Sequence, residues 1–197
     1  MNERAGDIQN FLDAARLGFR TFLKSQQGLR AVDKAFMALA EPGLERAGPG
    51  SRLAVCSHLE EALDPGRLKH PSLIKIAEVF RLIEPRLEWR TRETSSTASD
   101  NFSTGHANAL IVGPNGLERR ADVWLGVSLL APHVRYPDHR HPPEEAYLVL
   151  SSGEFRQGEG DWISPGIGGT LYNRPDIVHA MRSDHAPLFA LWCLPIE

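Results

Sequence analysis

Across the polar stretch Thr91–Gly105 the hydrophobic rhythm of this chain changes, and with it the kind of structure each side can form. Before it, apolar residues recur at helical spacing: Ile8, Phe11, Leu12, Ala15 and Phe19 follow i, i+3, i+4, i+7, i+11, with Asp7 placed to cap the first turn. A second run (Leu29, Val32, Phe36, Met37) ends before Glu41-Pro42-Gly43, and a third (Val55, Leu59, Leu63) stops at Asp64-Pro65-Gly66. A fourth follows His70-Pro71 with Ser72 as the expected N-cap; it carries Leu73, Ile76, Ala77, Phe80 and Ile83, and Pro85 bends or ends it. Beyond the stretch the apolar residues come in short β-branched or aromatic runs: "ALIVG", "DVWLGVSLL", "AYLVLSSGEF", "DWISPG", "TLYN" and "LFALWCLP", separated by turn signals such as "GPNG". Such spacing predicts a sandwich or barrel rather than a parallel sheet. The expected fold is therefore α+β by segregation: a helical part over residues 1–104, closed by a linker or long loop, then a β-barrel over residues 105–197. The helical run holds no evident chemistry and reads as a structural cover for the barrel or a homodimer surface.

Composition narrows the function classes. A net charge of −3 and a pI near 6.2 provide no basic field for nucleic acid or an anionic membrane, so neither is expected as a partner. The opening run "MNERAGDIQNFLDAARLGF" mixes acids with bases and reads as neither a signal peptide nor a membrane span. Cys56 and Cys193 are far apart and fit no metal spacing, which points to a reducing, cytoplasmic compartment. Cys193 reads as a small buried hydrophobe.

The chemistry gathers in "YPDHRHPPEEAYLVLSSGE". His139, His141, Glu145 and Tyr147 all have odd numbers, so a strand register that survives Pro142 and Pro143 points all four the same way. Imidazole nitrogen and carboxylate oxygen suit borderline divalent metals, and three protein ligands with open positions mark a catalytic ion. His179, in "NRPDIVHAM", is placed to add a fourth ligand from a distant strand. A solvated His-x-His loop is the plainer alternative; the glutamate and tyrosine at same-face spacing weigh against it. Glu144 alternates to the opposite face. His106 and His185 lie beside turn residues and read as bystanders, whereas His133 shares the odd parity but lies across Pro137.

"HRHPPEEAYLVLSSG" resembles the first motif of the cupin superfamily, His-x-His-x3-Glu followed by glycine, and "GDWISPGIGGTLYNRPDIVHAM" resembles its second, with Gly160, Pro165, Gly166 and His179. The resemblance implies a cupin barrel, a double-stranded β-helix or jelly-roll, holding a metal through three histidines and a glutamate. The position of His133 is glycine in the general cupin pattern, and the Gly166 to His179 gap is longer than usual. More narrowly, "YPDHRHPPEEAYLVLS", "GGTLYNRPDIVHAM" and "PLFALWCLP" behind a helical part of this length resemble the cupin-type dimethylsulfoniopropionate lyases of marine bacteria. That resemblance implies cleavage of dimethylsulfoniopropionate to dimethyl sulfide and acrylate by β-elimination. It implies one divalent ion per chain (Fe2+, Zn2+ or Mn2+) and proton abstraction or substrate handling by Tyr147 and Tyr136. Which of the two is the base stays open; Tyr136 has the opposite parity on a regular strand. A sulfonium is attracted to aromatic faces, for which Trp124, Trp162, Tyr172 and Trp192 are the candidates. Alternatives are a cupin dioxygenase or isomerase acting on another small organic acid, and a non-enzymatic small-molecule-binding cupin.

Overall fold

Helical spacing in the first part produces helices in the computed structural model, which describes residues 4–196. Met1–Glu3, the start of the run read for a leader, and Glu197 at the end of the barrel part lie outside the described residues. The elements run α1 (Gly6–Phe22), α2 (Gln26–Ala38), β1 (Leu44–Glu45), a 3-10 turn (Ala54–His58) leading into α3 (Leu59–Ala62), and α4 (Pro71–Ile83). A second 3-10 turn (Glu84–Arg86), β2 (Trp89–Arg90) and α5 (Phe102–Gly105) complete the first part.

Two caps differ from the sequence reading. The N-cap of α1 is Ala5; Asp7 sits inside the first turn, accepting from Ile8 N at 2.8 Å. There its charge still favours the positive helix end. In α4 the cap is His70, whose Nδ1 accepts from Ser72 N at 3.2 Å. Pro71 is the cause: it forces the preceding residue extended and fills the first helical position without an N–H to satisfy.

The strands are β3 (His106–Gly113), β4 (Glu118–Arg119), β5 (Val123–Leu130), β6 (Glu145–Val149), β7 (Glu154–Gln157), β8 (Thr170–Asn173), β9 (His179–Arg182) and β10 (Leu188–Pro195). The larger sheet has the order β1-β4-β3-β5-β10-β6-β8, with β2 also on β3, and is antiparallel except between β3 and β4. The smaller sheet is the antiparallel pair β7-β9, and bridges Arg135–Arg182 and His139–His179 draw the β5–β6 connection across it. This helical segment followed by a largely antiparallel β-barrel is the expected α+β architecture.

The large sheet is covered on both faces. Ala146, Leu148 and Leu150 join a core shared with α1, α2 and α4, including Phe11, Phe19, Val32 and Phe80. Tyr147 and Val149 instead join Tyr136, Phe155, Leu171 and Met181 inside the barrel. A strand apolar on both faces follows from that double cover. The polar stretch before β3 is not a free linker. Ser99 exchanges two hydrogen bonds with the Arg135 backbone, Thr97 Oγ1 accepts from Asp138 N at 2.9 Å, and Phe102 is fully buried. His106, expected to stand aside, is also fully buried: it stacks on Phe102 and its Nε2 accepts from Arg92 N at 2.7 Å. No helix of the described residues is long and apolar enough to cross a membrane.

Candidate metal centre

Antiparallel pairing brings the two distant histidine segments together, since His139 N and O bond His179 O and N at 3.0 and 2.9 Å. One ring nitrogen from each of His139, His141 and His179 falls within 4.8 Å of the others. All three rings are fixed in the same way. Nδ1 of His139, His141 and His179 donates to the carbonyls of Pro137, Pro143 and Ile177 at 2.9, 2.8 and 2.9 Å. A carbonyl can only accept, so in the neutral rings the proton is on Nδ1 and each Nε2 carries the lone pair that can take a ligand. Pro137 and Pro143 have no N–H, but their carbonyls serve as anchors.

Glu145 opens β6, and its Oε2 lies 3.3 Å from His141 Nε2 and 3.2 Å from His179 Nε2. His179 Nε2 is nonetheless buried without a hydrogen-bond partner. Burying such an atom is costly, and an acceptor nitrogen left unpaired beside a carboxylate is the arrangement a cation completes. The donor set of imidazoles and carboxylate therefore fits a borderline divalent ion. Asn173 Nδ2 donates to Glu145 Oε2 at 3.0 Å, and Gln157 in turn holds Asn173 Oδ1 at 2.5 Å.

The electrostatics separate the candidate ligands. Burial, reinforced by neighbouring His179, pushes His139 down to about 3, leaving it neutral at physiological pH. Burial also acts to lower His141, but the Glu145 carboxylate outweighs it and raises the ring above its ordinary value. Burial acts to raise Glu145, but His141 and His179 outweigh it and hold the carboxyl far below the usual range. Burial, with Glu145 alongside, holds the Tyr147 phenol well above its ordinary value.

A cavity of about 250 Å³ adjoins this cluster, and His139, His141, Glu145, Tyr147, Tyr136, Trp124 and Trp192 all border it. Tyr136 faces it despite its even number, because the segment carrying Pro137 is not a regular strand. Its oxygen accepts from Asn108 Nδ2 at 2.9 Å, and the Arg92 guanidinium stands 5.9 Å from its ring centre. Trp192 lies in register between Gly126 and Tyr147, and its Nε1 donates to Ser128 Oγ at 3.0 Å.

Two of the four sulfonium candidates lie elsewhere. Tyr172 alternates to the outer face of β8, where its hydroxyl donates to Glu144 at 2.6 Å. Glu144 is thus on the outer side, as its parity required, though engaged rather than free. Trp162 lies outside the cavity under the guanidinium groups of Arg135, Arg156 and Arg182. Asn108, Ser128 and Asn173 were not picked out from the sequence; each is a polar residue in or closing an otherwise apolar strand run, which is the signal that finds them.

A family model described as dimethylsulfoniopropionate lyase matches residues 27–190. A Cereibacter sphaeroides protein provisionally named dimethylsulfoniopropionate lyase DddL is 24% identical over 149 residues, 76% of this chain. The chain spans 61% of the length of that relative. A chain from the crystal structures of DMSP lyases RdDddP and RnDddQII superposes with a TM-score of 0.76 at 23% identity, covering 96% of this chain and 92% of that one. DMSP lyase DddQ from Ruegeria pomeroyi superposes with a TM-score of 0.74 at 21% identity, covering 98% and 92%. These superpositions establish the shared fold.

Proposed function

The chain belongs to the dimethylsulfoniopropionate lyase family, and on that premise we propose that it cleaves dimethylsulfoniopropionate to dimethyl sulfide and acrylate by metal-dependent β-elimination. The observation that carries the reading is a single cavity bordered by His139, His141, Glu145, Tyr136 and Tyr147. His139, His141, Glu145 and His179 would hold one divalent ion, Fe2+, Zn2+ or Mn2+. Such an ion, when bound, supplies Lewis acidity that offsets the negative charge building beside the substrate carboxylate.

The chain's own residues carry the proton and the cation. In the elimination the C–H bond next to the carboxylate breaks and its electron pair becomes the new double bond. The carbon–sulfur pair then leaves on neutral dimethyl sulfide, and the proton passes to the oxygen of a tyrosine that reacts as its phenolate, the form a bound divalent cation would favour against the effect of burial. Tyr147 stands beside Glu145, and Tyr136 borders the same cavity with Asn108 donating to its oxygen. That hydrogen bond supports negative charge on the phenol oxygen. One tyrosine takes the proton and the other orients the substrate. Trp192 and Trp124 offer aromatic faces to the sulfonium, worth roughly 0.5–2 kcal/mol each. We place the reaction in the cytoplasm, in keeping with the two buried free thiols.

Headspace gas chromatography tests the reading: the purified protein and dimethylsulfoniopropionate are incubated with chelator, then with Fe2+, Zn2+ or Mn2+ restored. Metal-dependent dimethyl sulfide well above the blank is the expected outcome. Tyr147→Phe should abolish release while bound metal stays unchanged; full activity in that variant would defeat the proposed role of Tyr147. No product with any ion, despite bound metal, would defeat the lyase reading itself.

A further inference from the structure

Among the described residues, one group of side chains outside the barrel cavity places metal-ligating atoms together: His133, Asp184 and His185 each offer one within 4.8 Å of the others. His133 belongs to the β5–β6 connection, and Asp184 and His185 to the turn between β9 and β10. The two segments are tied by short bonds. His133 N donates to Asp184 O at 2.8 Å, Val134 N to Ser183 Oγ at 2.9 Å, and Ser183 N to Val134 O at 2.9 Å. Asn101 Nδ2 reaches the His133 carbonyl at 3.3 Å, joining the polar stretch to the same corner.

His133 holds a φ of 60°, the left-handed region that an L side chain rarely occupies. Its ring stands edge-on to that of His185 with centroids 4.9 Å apart. Asp184 Oδ1 lies 3.6 Å from His185 Nε2. Among the described residues neither ring makes a hydrogen bond. All three side chains are exposed, His185 and Asp184 at 85% and 75%. Two ligand atoms on one tetrahedral Zn2+ stand about 3.3 Å apart.

We propose that His133, Asp184 and His185 form an accessory surface site for a borderline divalent cation of the Zn2+ class, separate from the barrel centre. Two imidazoles and a carboxylate leave the remaining positions to water. A bound ion staples the β5–β6 connection to the β9–β10 turn, holding the segment that leads to Tyr136.

The test is equilibrium dialysis of the full chain against Zn2+ with metal analysis, beside thermal melts with and without Zn2+. The wild type should retain one more Zn2+ per chain than either His185→Ala or His133→Gly, and part of its Zn2+-induced rise in Tm should vanish in both. His133→Gly relieves the left-handed backbone, so its metal-free Tm should match or exceed wild type, which separates loss of the ion from loss of the fold. Equal Zn2+ content in wild type and both variants overturns the proposal. The difference is read whether or not the barrel centre is filled, so failure of the lyase reading leaves it intact.

Discussion

Asn173 does not itself border the cavity, yet it bears on how Glu145 presents its carboxylate. Its amide donates to Glu145 Oε2, and Gln157 fixes the amide from behind. Removing such an outer hydrogen bond from a metal ligand typically costs about 10- to 100-fold in affinity. Asn173→Ala should therefore lose its ion to a chelator at correspondingly lower concentration, read as metal retained after graded EDTA dialysis; an unchanged titration would show that Glu145 needs no such support. The candidate ligands also imply a pH dependence. His139 is neutral throughout the physiological range, but His141 is raised by Glu145, so in the metal-free protein it keeps its proton to a pH above 6.5. A metal must displace that proton. Affinity for Zn2+ or Mn2+ should be level above the raised His141 value and fall as pH drops through it, by about tenfold per pH unit for one competing proton. Competition titrations between about pH 6 and pH 9 would show this, and a flat profile would mean that His141 is not a ligand.

Among the elements, β5 and β10 shape the cavity wall through one glycine. A Cβ at Gly126 would come within 2.4 Å of the Trp192 indole, which Ser128 holds in place. Gly126→Ala should displace the ring, destabilise the barrel by about 1–3 kcal/mol as an overpacked core position, and raise KM for the substrate more than it lowers kcat. Denaturant melts and steady-state kinetics test this; a displaced ring with unchanged KM would remove Trp192 from substrate binding. The same elements show how far the sequence could be read. Within β6 strict alternation held: Glu145 and Tyr147 face the barrel while Ala146 and Leu148 face the helices. Just before it alternation failed, because Pro137, Pro142 and Pro143 interrupt pairing and let even-numbered Tyr136 share the cavity with His139. The polar stretch over residues 91–105 read as a linker because its partners, the backbone groups of residues 135–138, are distant in sequence. Composition carries no record of such pairings. Aromatic chemistry alone likewise could not separate Trp192 from Trp162, since the division depends on which face of which sheet each occupies.

At the scale of the whole molecule, the helical part and the barrel are joined by more than chain continuity. One apolar core runs from Phe11 and Phe80 through Trp89 to Phe189 and Leu191. At its edge Arg4 reaches Glu118 of β4, with Nε–Oε2 at 2.6 Å and Nη2–Oε1 at 2.9 Å, and Gly43 N also donates to Oε1 at 2.8 Å. The side chains are only 6% and 2% exposed, so neither charge has water to fall back on. Removing one partner of a buried pair typically costs about 3–5 kcal/mol, because the other charge is stranded. Glu118→Ala should lower stability by that order, with Arg4 left unpaired and the Gly43 N–H unsatisfied. Because the core is continuous, the helices should not melt ahead of the barrel. Far-UV circular dichroism, dominated by the helices, and tryptophan fluorescence, which draws on Trp192 in the barrel, should give coincident transitions in wild type and variant alike. A helical transition at lower denaturant than the fluorescence change would mean that the first 104 residues and the barrel are separate folding units, and that the Arg4–Glu118 pair joins two units rather than stabilising one.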